Sequence, residues 1–254
     1  MTATVRKFLL FLFSHRVLAT ARWDLHLLRI RIWHAITWQK RRLRHCVARH
    51  PAPLFLNLGS GPRGIDDAHW INVDGFREKH VHFLIDLTRT LPFADESFDG
   101  VFCEHVLEHF SFNDAKKLAR EVRRILRPNG FFRIVVPDAE LILRRYFDAP
   151  KELVARRGGG SDQTPMEVVN CYFRQRYEHE FLHDWATLEK LLRCAGFVTV
   201  SRASFRRGVR CEAIVLDDPK YEWESLYVEA QKQPSGSSTR DNSRDACLPT
   251  TLAV

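Results

Sequence analysis

Leu54-Phe55-Leu56-Asn57-Leu58-Gly59-Ser60-Gly61-Pro62-Arg63-Gly64 is an apolar run that stops at glycines. Fenced by Pro53 and Gly59, it reads as a buried parallel strand. The glycines let the backbone turn sharply and leave no Cβ in the way of a ligand. In an open α/β sheet, a strand that ends in such a turn is where nucleotide-like cofactors bind. The downstream order of the chain strengthens the reading. Asn72-Val73-Asp74, Ile85-Asp86-Leu87 and Phe98-Asp99-Gly100-Val101-Phe102-Cys103-Glu104-His105 are further strand-like runs, each ending in acidic or polar residues.

The turn literally satisfies G-x-G-x-x-G, so a dinucleotide must be weighed. That fingerprint expects a full helix at the third glycine and an acid about 20 residues on. Here Pro62 interrupts, Asp74 comes fifteen positions after Gly59, and Ile65–Trp70 has room for barely one helical turn. A dinucleotide is disfavoured. Further on, the pattern predicts a helix over Asp114–Leu126, capped by Ser111 or Asn113, with Ala115, Leu118, Ala119, Val122, Ile125 and Leu126 on one face. Next come a turn at Arg127-Pro128-Asn129-Gly130 and a strand over Phe131–Val136. Asp184 reads as the cap of a helix from Trp185 to Cys194, closed by Gly196. Phe197–Ala203 and Ser225–Ala230 read as the last strands, with Ala213–Leu216 a competitor. Alternating strands and helices imply parallel crossovers. The expected fold is therefore α/β: a Rossmann-like, seven-stranded, mostly parallel sheet with helices on both faces.

The chain has 254 residues and a formal net charge of +8. Residues 1–50 hold nine Arg, two Lys and a single acid, Asp24, so the basic character belongs to an N-terminal stretch. Its apolar run Phe8–Phe13 is far short of the ~20 residues a membrane span needs. Arg6-Lys7 and Ala19-Thr20-Ala21 have the outline of a secretory signal, but His15-Arg16 breaks the apolar region. Two readings stay open for 1–50: a helical layer packed on the domain with its arginines solvated, or a basic amphipathic helix on anionic lipid. Six scattered cysteines with no C-x-x-C pair argue against a thiolate zinc site and a dense disulfide framework, and fit a reducing cytoplasm. The expected organisation is a basic helical extension over 1–50, one catalytic domain over 51–230 and a disordered tail over 231–254.

The series LNLGSGP, NVD, IDLTRTLPFADESFDGVFCEHVLEH and REVRRILRPNGFFRIVVPD resembles a class I S-adenosylmethionine-dependent methyltransferase, in particular the bacterial type 11-like set with a V-L-E-H motif after the fourth strand. The resemblance is strong over 53–137 and looser over 181–230. It implies S-adenosylmethionine as cofactor. Gly59 and Gly61 would lie under its amino-acid end, Asp74 at the ribose hydroxyls, Asp86 and Leu87 at the adenine, and Glu104 and His105 nearest the transferred methyl. The partner of the cofactor carboxylate is open, with Arg63 a guess. If the acceptor is a hydroxyl, His105, Glu104 and His179 are the candidate bases, His105 first, with Glu104 expected to orient His105 or the acceptor. Glu108 and His109 read equally as first-turn residues on a solvated face.

His179-Glu180-Phe181-Leu182-His183 matches H-E-x-x-H, whose zinc chemistry needs both histidines on one helix face. The motif precedes the helix at 185 and no third ligand stands nearby in sequence, so no metal is expected. The expected function is methyl transfer to a small-molecule, sugar or glycan acceptor, by O-methylation. The alternatives are a nucleic-acid methyltransferase, disfavoured because no Asn-Pro-Pro-Tyr-type base pocket succeeds the fourth strand, and a non-catalytic cofactor-binding scaffold. The expected location is cytoplasmic, with peripheral contact at the inner face of the membrane through residues 1–45.

Overall fold

The computed structural model describes residues 11–157, 162–209 and 212–234. The expectations for the first ten residues and most of the tail lie outside these. Seven strands form one sheet: β1 (Phe55–Leu58), β2 (Trp70–Asp74), β3 (Phe83–Leu84), β4 (Phe98–Glu104), β5 (Leu126–Pro137), β6 (Thr199–Arg202) and β7 (Ser225–Gln231). Their order is β3-β2-β1-β4-β5-β7-β6. The first five strands in chain order pair in parallel, while β7 runs antiparallel to both β5 and β6. The order reverses between β1 and β4, which leaves a crevice beyond their carboxyl ends.

Alternation along the strands sends side chains to two unlike faces. Leu56, Leu58, Val101, Cys103, Ile134 and Val136 point to one, where they bury against the apolar stripes of α3 (Phe112–Ile125) and α7 (Trp185–Cys194) and against Leu43 of α2 (Gln39–Arg49). Phe55, Phe102, Val135 and Tyr227 point to the other, which is closed by Ile65, Ala203, Phe205 and Ile214 from the connecting segments. There Arg133 of β5 is wholly buried. Its guanidinium binds Asp217 (Nε to Oδ1, 2.7 Å) and Glu229 (Nη1 to Oε1, 2.8 Å), and donates to the carbonyl of Ser204 (2.9 Å). This ion cluster ties Ser204 and Asp217 to the sheet.

Local signals explain the helix ends. The Ser111 hydroxyl accepts from Asp114 N, and Asp184 with Thr187 forms a capping box that opens α7. The Arg127–Gly130 segment is not a separate turn. It lies within β5, where left-handed Asn129 and a register shift opposite Phe98–Gly100 absorb the irregularity. Ala213–Leu216 is no strand: Glu212–Ile214 is a 3₁₀ turn. Beyond the end of β5, α4 (Ala139–Asp148), α5 (Pro150–Arg157) and α6 (Pro165–Arg174) enclose a small core of Ile142, Leu153, Val168, Val169 and Tyr172.

The N-terminal stretch is helical, as α1 (His15–Ile36) and α2. It packs on the domain: Leu27 and Ile30 are buried, His26 Nε2 lies 2.7 Å from the carbonyl of Gly75, and the His26 ring stacks on Phe76. Helix α1 thus crosses the carboxyl ends of β2 and β3. Among the described residues, no helix is long and apolar enough to cross a membrane.

Candidate active site

The glycine turn leaves β1 pinned to β2. The amides of Gly59 and Ser60 both donate to the carbonyl of Val73, at 2.9 and 3.0 Å. Gly59 has φ +74°, and a Cβ there would come within 2.3 Å of the Val106 side chain, so packing alone demands glycine. Gly61 differs. Its φ is +50°, and a Cβ would meet nothing within 4 Å, so its bare face borders open space at the crevice. Residues 59–69 contain no helix, in line with the short crossover. An open, side-chain-free turn backed by a carboxylate fits the amino-acid and ribose parts of S-adenosylmethionine. That carboxylate is Asp74: Oδ2 accepts from Gly61 N (2.8 Å) and Oδ1 from Phe76 N (2.7 Å), leaving lone pairs on each oxygen.

Asp86 is buried after β3 and engaged from the N-terminal helix, with Arg31 Nε 2.7 Å from Oδ2, while Oδ1 accepts from the Thr88 amide and hydroxyl. Leu87 is half-buried against the main core. Arg63 is not free for a cofactor carboxylate. Its Nη1 pairs with Glu104 (2.5 Å) and Asp218 (2.6 Å), and its guanidinium lies over the Tyr221 ring.

Glu104 and His105, adjacent in sequence, part company in space. Glu104 is buried at the end of β4, accepting from Arg63 and from the amide of Asp218. Burial pushes its carboxyl above the ordinary range, against the opposing pull of the Asp218 amide and Arg63. His105 takes a left-handed backbone (φ 53°) and turns the other way. Its Nδ1 lies 3.2 Å from Glu108 Oε1, its Nε2 lies 3.0 Å from Ser225 Oγ, and Tyr221 stacks on its face at 3.9 Å. A carboxylate cannot donate, so Nδ1 carries the proton and Nε2 presents its lone pair to the serine hydroxyl.

The residue that orients His105 is therefore Glu108, not Glu104. Glu108 is also not on a solvated face: it sits in the 3₁₀ turn Leu107–His109 with 0% exposure. The tight turn after β4 brings positions i and i+3 into line, and the E-H-x-x-E-H spacing carries that signal. Burial would raise the Glu108 carboxyl, but hydrogen bonding and charge from His105, joined by His109, hold it below the ordinary range.

H-E-x-x-H is irregular rather than helical, and hangs from the β4 turn by its backbone. The amides of Glu180 and Phe181 both donate to the carbonyl of Glu108, at 2.9 and 3.2 Å. That attachment brings His179 beside Glu108 and His109, so third-ligand chemistry stands nearby in space where sequence spacing showed none. His179 and His183 are both buried. Burial lowers the first below its ordinary value and pushes the second down to about 4.

Residues 68–134 match a family model described as a methyltransferase domain. Over 57 residues the chain is 40% identical to the uncharacterized methyltransferase YcgJ of Bacillus subtilis, a stretch spanning 22% of each protein. Among solved structures, a Thermotoga maritima protein described as a SAM-dependent methyltransferase, "possible histamine N-methyltransferase", aligns over 84% of this chain and 96% of its own, at 19% identity and a TM-score of 0.44. The YcgJ structure aligns over 74% and 98%, at 16% identity and a TM-score of 0.43.

Proposed function

We propose that this chain, a class I S-adenosylmethionine-dependent methyltransferase by its matched domain and its strand order, methylates a hydroxyl of a sugar- or glycan-type small-molecule acceptor. The observation that carries the reading is His105, held between Glu108 and Ser225 at the carboxyl end of β4, with a lone pair on Nε2. When bound, the cofactor supplies a methyl on a positively charged sulfur that departs as a neutral thioether. His105 Nε2 takes the acceptor's hydroxyl proton as the new O–C bond forms, once the Ser225 hydroxyl that now faces this lone pair turns aside. Glu108 keeps Nδ1–H in position and balances the imidazolium that results. Gly59 and Gly61 form the floor under the amino-acid end, Asp74 takes the ribose hydroxyls, and Asp86 with Leu87 takes the adenine, Arg31 fixing the carboxylate.

A polyhydroxylated acceptor suits the rim of the site. The Tyr221 ring stacks on His105, and Arg63, which lies over that ring, holds Glu104 and Asp218, whose carboxylates accept from hydroxyls. The same carboxylates oppose a phosphodiester backbone, which basic side chains normally hold. Labelled cofactor incubated with fractionated cell extract tests the reading. Label is expected in a carbohydrate-containing fraction, and His105→Ala should slow its uptake by about 10²–10⁴-fold, the usual worth of a general base. Full turnover in that variant would leave the step to alignment or to His179. Label in a nucleic-acid fraction would replace the acceptor class, and uptake in no fraction would favour a binding scaffold.

A further inference from the structure

We infer that Glu108, His109 and His179 form a binding site for one divalent transition-metal ion of the zinc class. A ligand atom of each lies within 4.8 Å of the other two. Donors about 2.1 Å from a tetrahedral ion stand roughly 3.4 Å apart, so loading requires a contraction of at most about 1.4 Å. Two features of the free protein prepare the set. First, both histidines donate Nδ1–H to main-chain carbonyls, His109 to Glu178 (3.0 Å) and His179 to Tyr172 (2.5 Å). Those acceptors fix the neutral tautomer and leave Nε2 of each ring with a lone pair, the usual outer-shell arrangement of metal-binding histidines. Second, Glu108 is a wholly buried carboxylate: among the described residues its one ion-pair contact is His105 Nδ1, 3.2 Å from Oε1, and Oε2 has no partner from another side chain. A buried charge so poorly satisfied is costly unless a cation completes it.

Two imidazoles and one carboxylate, with further positions left for water or ligand, are the donor set of catalytic zinc sites. His109 is only half-buried and gives the ion its entry. The ion would clamp the loop before α7 to the turn after β4, and it would share Glu108 with His105. The assignment does not depend on methyl transfer, and it uses His179 without His183, unlike the helical H-E-x-x-H arrangement.

The test is zinc binding by the full chain, stripped with chelator, dialysed and titrated with zinc chloride, with elemental analysis of the product. About one zinc per chain is expected. His109→Asn and His179→Asn should each weaken binding by about 100-fold or more, while Glu180→Gln, on the exposed residue that follows His179, leaves it unchanged. If His179→Asn does not fold, His109→Asn and a visible cobalt(II) spectrum on the wild type decide. Wild-type protein that takes up no zinc at micromolar free metal overturns the site. So does undiminished binding in the folded histidine variants, or loss of zinc in Glu180→Gln.

Discussion

His105 holds its left-handed backbone at a strain on the order of 1 kcal/mol, and that conformation aims its ring away from Glu104 and at Glu108. The two glutamates, four positions apart, thereby take different work: Glu104 holds Arg63 and the Asp218 amide, and Glu108 holds the histidine. Glu108→Gln should therefore lower turnover by about 10²-fold or more with cofactor affinity kept, whereas Glu104→Gln should act chiefly on the fit of the Arg63 and Asp218 rim. Steady-state rates and cofactor titrations on both variants check this, and equal loss from the two would contradict the division of roles. The glycine turn and Asp74 were legible because their reasons are local: a strand end, a positive φ, a carboxylate one strand away. Glu108 was not, because its burial depends on residues 178–183 closing over the β4 turn, a contact about seventy positions distant in sequence.

At the level of elements, capping and periodicity placed α3 and α7 correctly, since Ser111, Asp184 and the apolar stripes act within a turn or two of the helix. The loop-covered face of the sheet was not legible in the same way. An arginine in the middle of β5 has no period to announce it, and its partners Asp217 and Glu229 come from another loop and another strand. That cluster stands where an apolar layer would ordinarily sit. Arg133→Ala should cost about 3–5 kcal/mol in urea unfolding, because it strands two buried carboxylates. Replacing the three together with apolar residues of similar volume should recover most of that loss. A single-variant cost below about 1 kcal/mol would mean that water reaches the carboxylates.

Across the whole molecule, the basic N-terminal helix joins the domain it precedes. Arg31 reaches Asp86 and His26 reaches the Gly75 carbonyl, so α1 walls the side of the crevice assigned to the adenine. Its outer face still exposes Leu25, Leu28, Ile32, Trp33 and Ile36 among arginines, which suits contact with an anionic bilayer. Packing on the domain accounts for one face of the helix, and lipid contact by the other is a proposal for experiment. Sedimentation with vesicles containing anionic lipid should carry the protein down, and Trp33→Ser with Ile36→Ser should weaken that without touching cofactor affinity; binding equal on neutral vesicles, or absent, would leave α1 as packing alone. The methyltransferase reading itself is tested most directly by calorimetry with S-adenosylmethionine and its demethylated product on the wild type and on Asp74→Asn. The expected result is one site of micromolar class for both ligands, weakened about 10- to 100-fold in the variant by loss of a charged hydrogen bond of about 1.5–3 kcal/mol. No binding of either ligand, or tight binding of NADH in their place, would contradict it.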